Sequence, residues 1–412
     1  MRGTRMLARA LGVESAVVED VREQAGVGFV VRVRPRRRHR RRCGVCLGRC
    51  PGYDAGAGLR RWRTHDLGLE EAFVEAEAPR VSCAEHGVVV AHVPWARHGS
   101  GFTTSFEDTV AWLAVRTDKT TLSTLLRVAW RTVGAIVERV STAMRAVRSP
   151  LADLRKIGID EVAYRKGHRY LTIVVDHETG RLVWAQPGRD EKTLRKFFRA
   201  LKKEGRAKIE LVSADAASWI GSVVREQCPD AVLCIDPFHV VSWATKALDE
   251  VRRAMWNELR ERGESERAKA MKNSRWALVK NPEDLTRKQR RKLRSIEEDN
   301  ALLFKSYLMK EQLREIFRLK GDEATFMLDE WLAWVGRSRN EHFKKVARAI
   351  KDNRAGIDCA LTYGLSNARL ESMATKLKLL TRMAFGFHSH APLVELAMLK
   401  LGGLCPPLPR LA

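Results

Sequence analysis

Hydrophobic and polar positions change their spacing several times along this 412-residue chain, and each change predicts a different structure. Residues 27–33 (Val-Gly-Phe-Val-Val-Arg-Val) read as a strand within a short α/β opening that ends near residue 34. From 43 to 100, glycine and proline punctuate loops and short strands. Between 105 and 148 the spacing turns helical. Ser105 is a candidate N-cap, with Glu107 and Asp108 in the first turn where the helix dipole favours acids. Shorter helical runs follow at 122–126 and from 130 to 137. Short helices, a tight connection and basic side chains suit a helix-turn-helix, although a three-helix linker bundle shares the pattern.

Residues 151–239 alternate differently. Strand-like runs fall at 157–160, 169–176, 181–187, 208–214 and 231–236, with helical runs at 191–203 and 219–226. Three strands followed by alternating strand and helix predict a mixed sheet with right-handed crossovers. Residues 240–360 read as helical throughout and rich in charge, with their densest basic run at 285–294. A later amphipathic helix has Asn367 as candidate N-cap and an apolar stripe of Leu370, Met373, Ala374, Leu377, Leu380 and Ala384. Glu371, Thr375, Lys378 and Arg382 share another face, which places a carboxylate for metal beside Lys378 and Arg382 as cations suited to DNA phosphates. Residues 402–407 read as a loose tail. The expected organisation is therefore an N-terminal metal-binding module (1–100), a helix-turn-helix (101–150), an α/β core (151–239), a helical region (240–360), the core's final helix (361–400) and a tail (401–412).

Charge adds a partner. The formal net charge is +25 and the sequence pI about 10.1, which favours a polyanion and counterion release on binding. No apolar stretch approaches a membrane span, and the N-terminus lacks a signal-peptide core. Arginines are clustered at Arg36, Arg37, Arg38, Arg40, Arg41 and Arg42 and again around Arg61, Trp62 and Arg63; with Arg131 they are candidate contacts to DNA phosphates or a minor groove. A solvated disordered tract is the alternative for the first cluster.

The eight cysteines do not form a disulfide framework, and a cytosolic protein with a local metal site is the better reading. Cys43-x2-Cys46 and Cys83-x2-His86 supply four ligands for tetrahedral zinc, with Cys50 as a competitor. Four filled positions leave no open site, so the zinc would be structural. The scattered Cys228, Cys234, Cys359 and Cys405 are expected to pack as small apolar residues.

Three acids sit where metal chemistry could use them. Asp160 ends one apolar run, Asp215 ends another, and Glu371 lies on the late basic helix. Carboxylates from two strand ends and a helix can hold two divalent cations about 4 Å apart beside a phosphodiester. Each also has a plainer reading as a cap, a turn residue or a solvated helix position. Lys166, His168 and Arg169 follow Asp160 and are candidate phosphate contacts. Strand alternation would turn Glu161 to the opposite face, as a solvated carboxylate.

Taken in order, these motifs resemble the ISL3 family of bacterial insertion-sequence transposases over nearly the full length. The resemblance rests on the Cys-x2-Cys and Cys-x2-His pairs, Arg-Trp-Arg-x-x-Asp-Leu, Val-Pro-Trp-Ala and the helix-turn-helix. It continues through Gly158-Ile-Asp-Glu-Val-Ala-Tyr-Arg-Lys-Gly-His-Arg-Tyr-Leu-Thr, Asp236-Pro-Phe-His239-Val and Asn367-Ala-Arg-Leu-Glu371-Ser. It implies an RNase H-like domain in which Asp160, Asp215 and Glu371 form a DDE triad, supported by Asp236 and His239, with a large all-helical insertion before Glu371. Ser372-Met373 departs from the Gly-hydrophobic-Asn common after the family's glutamate. The resemblance further implies two Mg²⁺ (or Mn²⁺) ions, one structural zinc and a bacterial cytoplasmic, nucleoid-associated protein. Its partners would be double-stranded DNA (terminal inverted repeats and target) and further copies of the chain, at least a dimer when active. Two other readings are a non-catalytic DNA-binding descendant of a transposase and a nuclease that cuts without joining.

Overall fold

The computed structural model describes residues 3–215, 217–363 and 368–409. They fall into two compact units, Met1–Ser149 with Leu380–Ala412, and Pro150–Leu379.

The first unit opens with α1 (Gly3–Ala10) and the strands β1 (Ala16–Gln24), β2 (Gly28–Pro35), β3 (Gly52–Asp54), β4 (Leu59–Leu67), β5 (Glu70–Glu77), β6 (Arg80–Cys83) and β7 (Gly87–Val90). Four form a sheet in the order β1-β2-β5-β4; β3, β6 and β7 form a small antiparallel one. The larger sheet buries Val31, Val74 and Trp62 with Trp95, the two indoles meeting edge to face at 5.6 Å. Three helices follow: α2 (Thr104–Ala114), α3 (Lys119–Leu126) and α4 (Trp130–Val147). The cap of α2 is Thr103, whose hydroxyl accepts from the Phe106 amide; Ser105, the expected cap, already lies inside the helix. Glu107, fully buried on α2, is held by Arg97, Arg139 and Ser100, tying the helices to the strand module. Strand module and helices fall within one compact unit.

The second unit contains β8 (Lys156–Arg165), β9 (Arg169–Asp176), β10 (Leu182–Pro187), α5 (Glu191–Arg206), β11 (Leu211–Ala214), α6 (Ser218–Gln227) and β12 (Val232–Ile235). Their order is β10-β9-β8-β11-β12; the first three are antiparallel and the last three parallel. Ile157, Ile159, Val212 and Ala214 face a core made with Phe197 and Phe198 of α5 and Val223 and Val224 of α6. From Pro237 to Tyr363 the chain is helical, as expected: α7 (Pro237–Glu261), α8 (Ser265–Lys272), α9 (Arg275–Val279), α10 (Arg287–Asp299), α11 (Ala301–Ile316), α12 (Gly321–Gly336), α13 (Glu341–Asp352) and α14 (Arg354–Tyr363). These helices bury their own core around Trp331, Leu313 and Phe343.

Two helices remain, α15 (Ala368–Met383) and α16 (His390–Leu401), and the unit boundary falls within α15. On α15, Leu370, Met373, Leu377 and Leu380 are buried as the stripe predicts. Its expected N-cap, Asn367, lies outside the described residues. Three expectations change. Helix α16 packs on α4 through an Arg145–Glu395 ion pair of 2.5 Å, so residues 390–401 belong to the first unit and not to the sheet-bearing one. The expected loose tail is anchored, with Leu404 buried and the Cys405 amide bonded to Leu399 O at 3.0 Å. Cys234 of β12 and Cys359 of α14 do not pack as separate small residues but are joined as a disulfide.

Candidate metal centres

At the first centre, Cys43 and Cys46 lie in the loop after β2, Cys83 ends β6 and His86 lies in the turn to β7. The intervening chain runs through β3 and the β4–β5 hairpin and returns along β6, the path that the long ligand separation requires. All four ligand atoms lie within 4.8 Å of one another, and Cys50 is not in the set. Cys46 Sγ is 3.8 Å from Cys83 Sγ; His86 Nδ1 is 3.6 Å from Cys83 Sγ and 3.9 Å from Cys43 Sγ. A zinc tetrahedron with bonds of about 2.3 Å to sulfur and about 2.0–2.1 Å to nitrogen has edges of about 3.8 Å and about 3.6 Å, so the donor set fits zinc. The Cys83 thiol is pulled down to about 6 by the His86 side chain and by the His86 and Glu85 amides, towards the thiolate a metal binds.

Around this centre the arginines divide. Arg36, Arg37, Arg38, Arg40 and Arg41 are exposed, but Arg42 braces the cysteine loop through Arg38 O and Leu47 O. Trp62 and Arg63, expected at DNA, are 1% and 6% exposed. Trp62 is core, and Arg63 is spent on Asp66 and on the rings of Phe73 and Phe106. Arg61 lies at the surface, paired with Glu75 at 2.8 Å. Arg131 is exposed at the start of α4, which follows α3 after a three-residue turn with Arg127 left-handed.

The second centre grows from strand register. Ile159 of β8 pairs Ala214 of β11, and Ala214 pairs Ile235 of β12. Asp160, Asp215 and Asp236 are the next residues of these three parallel neighbours, so the register puts them side by side at one sheet edge. Asp160 is not a strand end, because β8 continues to Arg165 along β9, but it is where the parallel pairing with β11 stops. Asp236 caps α7 through the Phe238 amide at 3.2 Å and accepts from His239 Nδ1 at 3.1 Å. His239 Nδ1 also lies 2.7 Å from Asp215 Oδ1, a buried oxygen with no well-aligned hydrogen bond.

The electrostatics follow from crowding. Burial pushes the Asp160 carboxyl up to about 6 against the hydrogen bond from the Glu161 amide, and the Asp215 charge adds to the rise. Bonds to Asp215 and then Asp236 hold His239 up to about 10, so its proton supplies the nearest positive charge. Among the described residues, Asp215, Asp236 and His239 have ligand atoms within 4.8 Å of one another, with Asp160 on the adjacent strand outside that group; carboxylates of this kind are hard donors suited to Mg²⁺ or Mn²⁺.

Of the third acid, Glu371, the structure places only the neighbour, Leu370, against the sheet. Gly158 and Asp160 share one side of β8, and Leu370 of α15 seats on Gly158: a Cβ there would stand 3.0 Å from both Leu370 Cδ atoms and 2.8 Å from His177 Nε2. Glu371 is the next residue and is exposed, as are Thr375, Lys378 and Arg382. His177, 2.7 Å from Ser213 Oγ, completes this floor; only its place directly after β9 hinted at it in the sequence. Glu161 is half-buried and paired with Arg189, not solvated. Lys166, His168 and Arg169 are exposed at the tip of the β8–β9 hairpin, about 13–20 Å along the strands from Asp160, too far to share a phosphate with it.

Among the described residues, no helix is long and apolar enough to cross a membrane. Residues 157–394 match the DDE transposase family of the ISL3 type, 91–141 the helix-turn-helix domain of ISL3 transposases, and 39–86 the zinc finger of the IS204/IS1001/IS1096/IS1165 transposases. The transposase of insertion sequence IS1557 from Mycobacterium tuberculosis is 50% identical, covering 99% of this chain and 98% of that protein. The IS1001 transposase of Bordetella parapertussis is 28% identical over 63% of each chain.

Proposed function

Because the chain belongs to the ISL3 family of transposases, we propose that it binds the terminal inverted repeats of an insertion sequence and cuts and joins DNA through Asp160, Asp215 and Glu371. The observation that carries this reading is the register that sets Asp160 beside Asp215, with Leu370 seating the first turn of α15 on the same strand face. The strand order β10-β9-β8-β11-β12 supports an RNase H-like core, with the helices from 237 to 363 as an insertion between the second and third acids.

The three carboxylates would hold two Mg²⁺ (or Mn²⁺) ions, which supply Lewis-acid activation of the attacking oxygen and stabilisation of the leaving oxygen. Asp160 and Asp215 contribute fixed positions, since their strands are packed on both sides. Asp236 and His239 orient Asp215: the imidazole Nδ1 lies between the two carboxylates, 2.7 Å from Asp215 and 3.1 Å from Asp236, the cap of α7. Cys43, Cys46, Cys83 and His86 would hold one structural zinc that shapes the end-binding module. With it, Arg131 and the exposed arginines at 36–41 engage duplex DNA. Two element ends must be joined, so the active complex contains at least two copies, working at the nucleoid of a bacterial cytoplasm.

Labelled duplexes carrying the DNA that flanks the gene, incubated with a target plasmid and Mg²⁺, test the reading. Wild-type protein should cut and join them. Asp160→Asn and Asp215→Asn should bind them equally well but cut more than about 100-fold more slowly, a larger loss than the 10–100-fold typical of groups that only orient a ligand. Undiminished cutting by both variants refutes the triad; hydrolysis without joining identifies a nuclease.

A further inference from the structure

Helix α10 carries the densest basic run of the helical region, and none of the functions above uses it. Arg287, Arg290, Arg291 and Arg294 are exposed. At 3.6 residues per turn they fall within an arc of about 100°, centred opposite Ile296, the residue α10 buries. The stripe therefore points straight out, along about 10 Å of helix.

Three observations separate it from an ordinary solvated face. First, these arginines have no carboxylate partner among the described residues, whereas most arginines of the neighbouring helices do, Arg260 lying instead over the Trp256 ring. Arg252 and Arg253 pair with Asp249, Arg262 with Glu258, Arg267 with Glu264, Arg314 with Glu283 and Glu311, and Arg354 with Asp329 and Asp358. Glu283, close in sequence to the stripe, is taken by Arg314 and Arg318. Secondly, the charge order opposes the helix dipole. The cations fill the first two turns and Glu297, Glu298 and Asp299 the last, the reverse of what stabilises a helix. Thirdly, the helix is held firmly despite that cost. Leu285 is buried before it, and Thr286 with Gln289 forms a reciprocal capping box at its start. A fixed row of unneutralised guanidinium groups is complementary to a regular row of phosphates.

We propose that α10 is a binding element for the backbone of duplex DNA, contacting phosphates through Arg287, Arg290, Arg291 and Arg294 without reading bases. It rests on the transposase reading and adds to it a sequence-independent hold on DNA within the helical region.

The test uses the full chain and a random-sequence duplex of about 30 base pairs, with affinity measured between 50 and 200 mM salt. In the variant R287Q/R290Q/R291Q/R294Q, the slope of log affinity against log salt should shrink by about 0.9 for each phosphate no longer neutralised, up to about 3.6. The matching four-lysine variant should keep most of the slope, because counterion release follows charge. A control that removes paired arginines, R262Q/R267Q, should leave it unchanged. An unchanged slope in the glutamine variant, or an equal fall in the control, overturns the proposal. Should the four substitutions lower the melting temperature, Arg291→Glu alone decides: a slope smaller by about 0.9 supports the stripe, and an unchanged slope refutes it. Cutting by wild type and by Asp160→Asn is read on separate DNA, so the stripe and the triad can fail independently.

Discussion

The cysteine–histidine loop and the carboxylate cluster are both candidate metal sites, but they differ in what holds them together. Around Cys43, Cys46, Cys83 and His86 the strands are short and open: β3 is exposed throughout, and β6 buries only Val81 and Cys83. Little there could keep the ligands in place except a metal. Around Asp160 and Asp215 the sheet is packed on one face by α5 and α6 and on the other by Leu370, Cys359 and Ala360. That scaffold is held by apolar packing, and the buried oxygen of Asp215 is ion-paired with His239 at 2.7 Å. The contrast is between a candidate zinc site on thin, open strands and a candidate cation site on a packed sheet.

Removing zinc should break the comparison most visibly. Structural zinc contributes about 10–16 kcal/mol of binding energy to the fold it closes. Chelation or Cys43→Ser should therefore abolish zinc by elemental analysis and expose amides across 43–54 and 80–90 to hydrogen exchange, leaving 156–176 protected. Protection unchanged over 43–54 and 80–90 would mean that the small sheet stands without metal. Trp62→Ala should follow, destabilising the first unit by about 3–5 kcal/mol, because it empties a core site instead of trimming a DNA-facing surface. Arg37→Ala, by contrast, should shift stability by no more than about 0.5 kcal/mol. A Trp62 variant with normal melting and weakened DNA binding would restore the surface reading.

Smaller and more selective is Gly158→Ala, which removes no carboxylate. Its methyl would press His177 and Leu370 and shift α15 against β8. Displacements near 1 Å can cost up to about 100-fold in rate, so cleavage should fall by about 10–100-fold while zinc content stays normal. Full activity would show that the seating of Leu370 does not position Glu371. His239→Gln should give about a 10-fold loss in cleavage, as it keeps a neutral donor near Asp215 but not the positive charge.

Much of this architecture was legible because it is written in local spacing. The β8–β12 strands announced themselves as apolar runs, and the acids Asp160 and Asp215 as the polar residues closing two of them. The stripe on α15 and the helices from 237 to 363 followed from period alone. What escaped depended on partners far away in sequence. Arg-Trp-Arg looks the same whether its tryptophan faces DNA or Trp95, and only the packed sheet decides. The length of β8 beyond Asp160 comes from its hairpin with β9, whose polar half carries no apolar signal. Cys234 and Cys359, 125 residues apart, gave no hint of each other. Helix α16 is apolar on most sides, burying Leu393, Val394, Ala397 and Met398, so its spacing does not single out one face, and its packing on α4 could not be read from it.

The central claim is that the carboxylate cluster becomes a two-ion site only with Glu371. Binding of Mn²⁺ to the protein–end-DNA complex, counted by electron paramagnetic resonance, tests it most directly. Two ions per chain are expected for wild type, and in Glu371→Gln one of them should be lost or weakened at least about 10-fold. Equal Mn²⁺ binding by wild type and Glu371→Gln would contradict the claim.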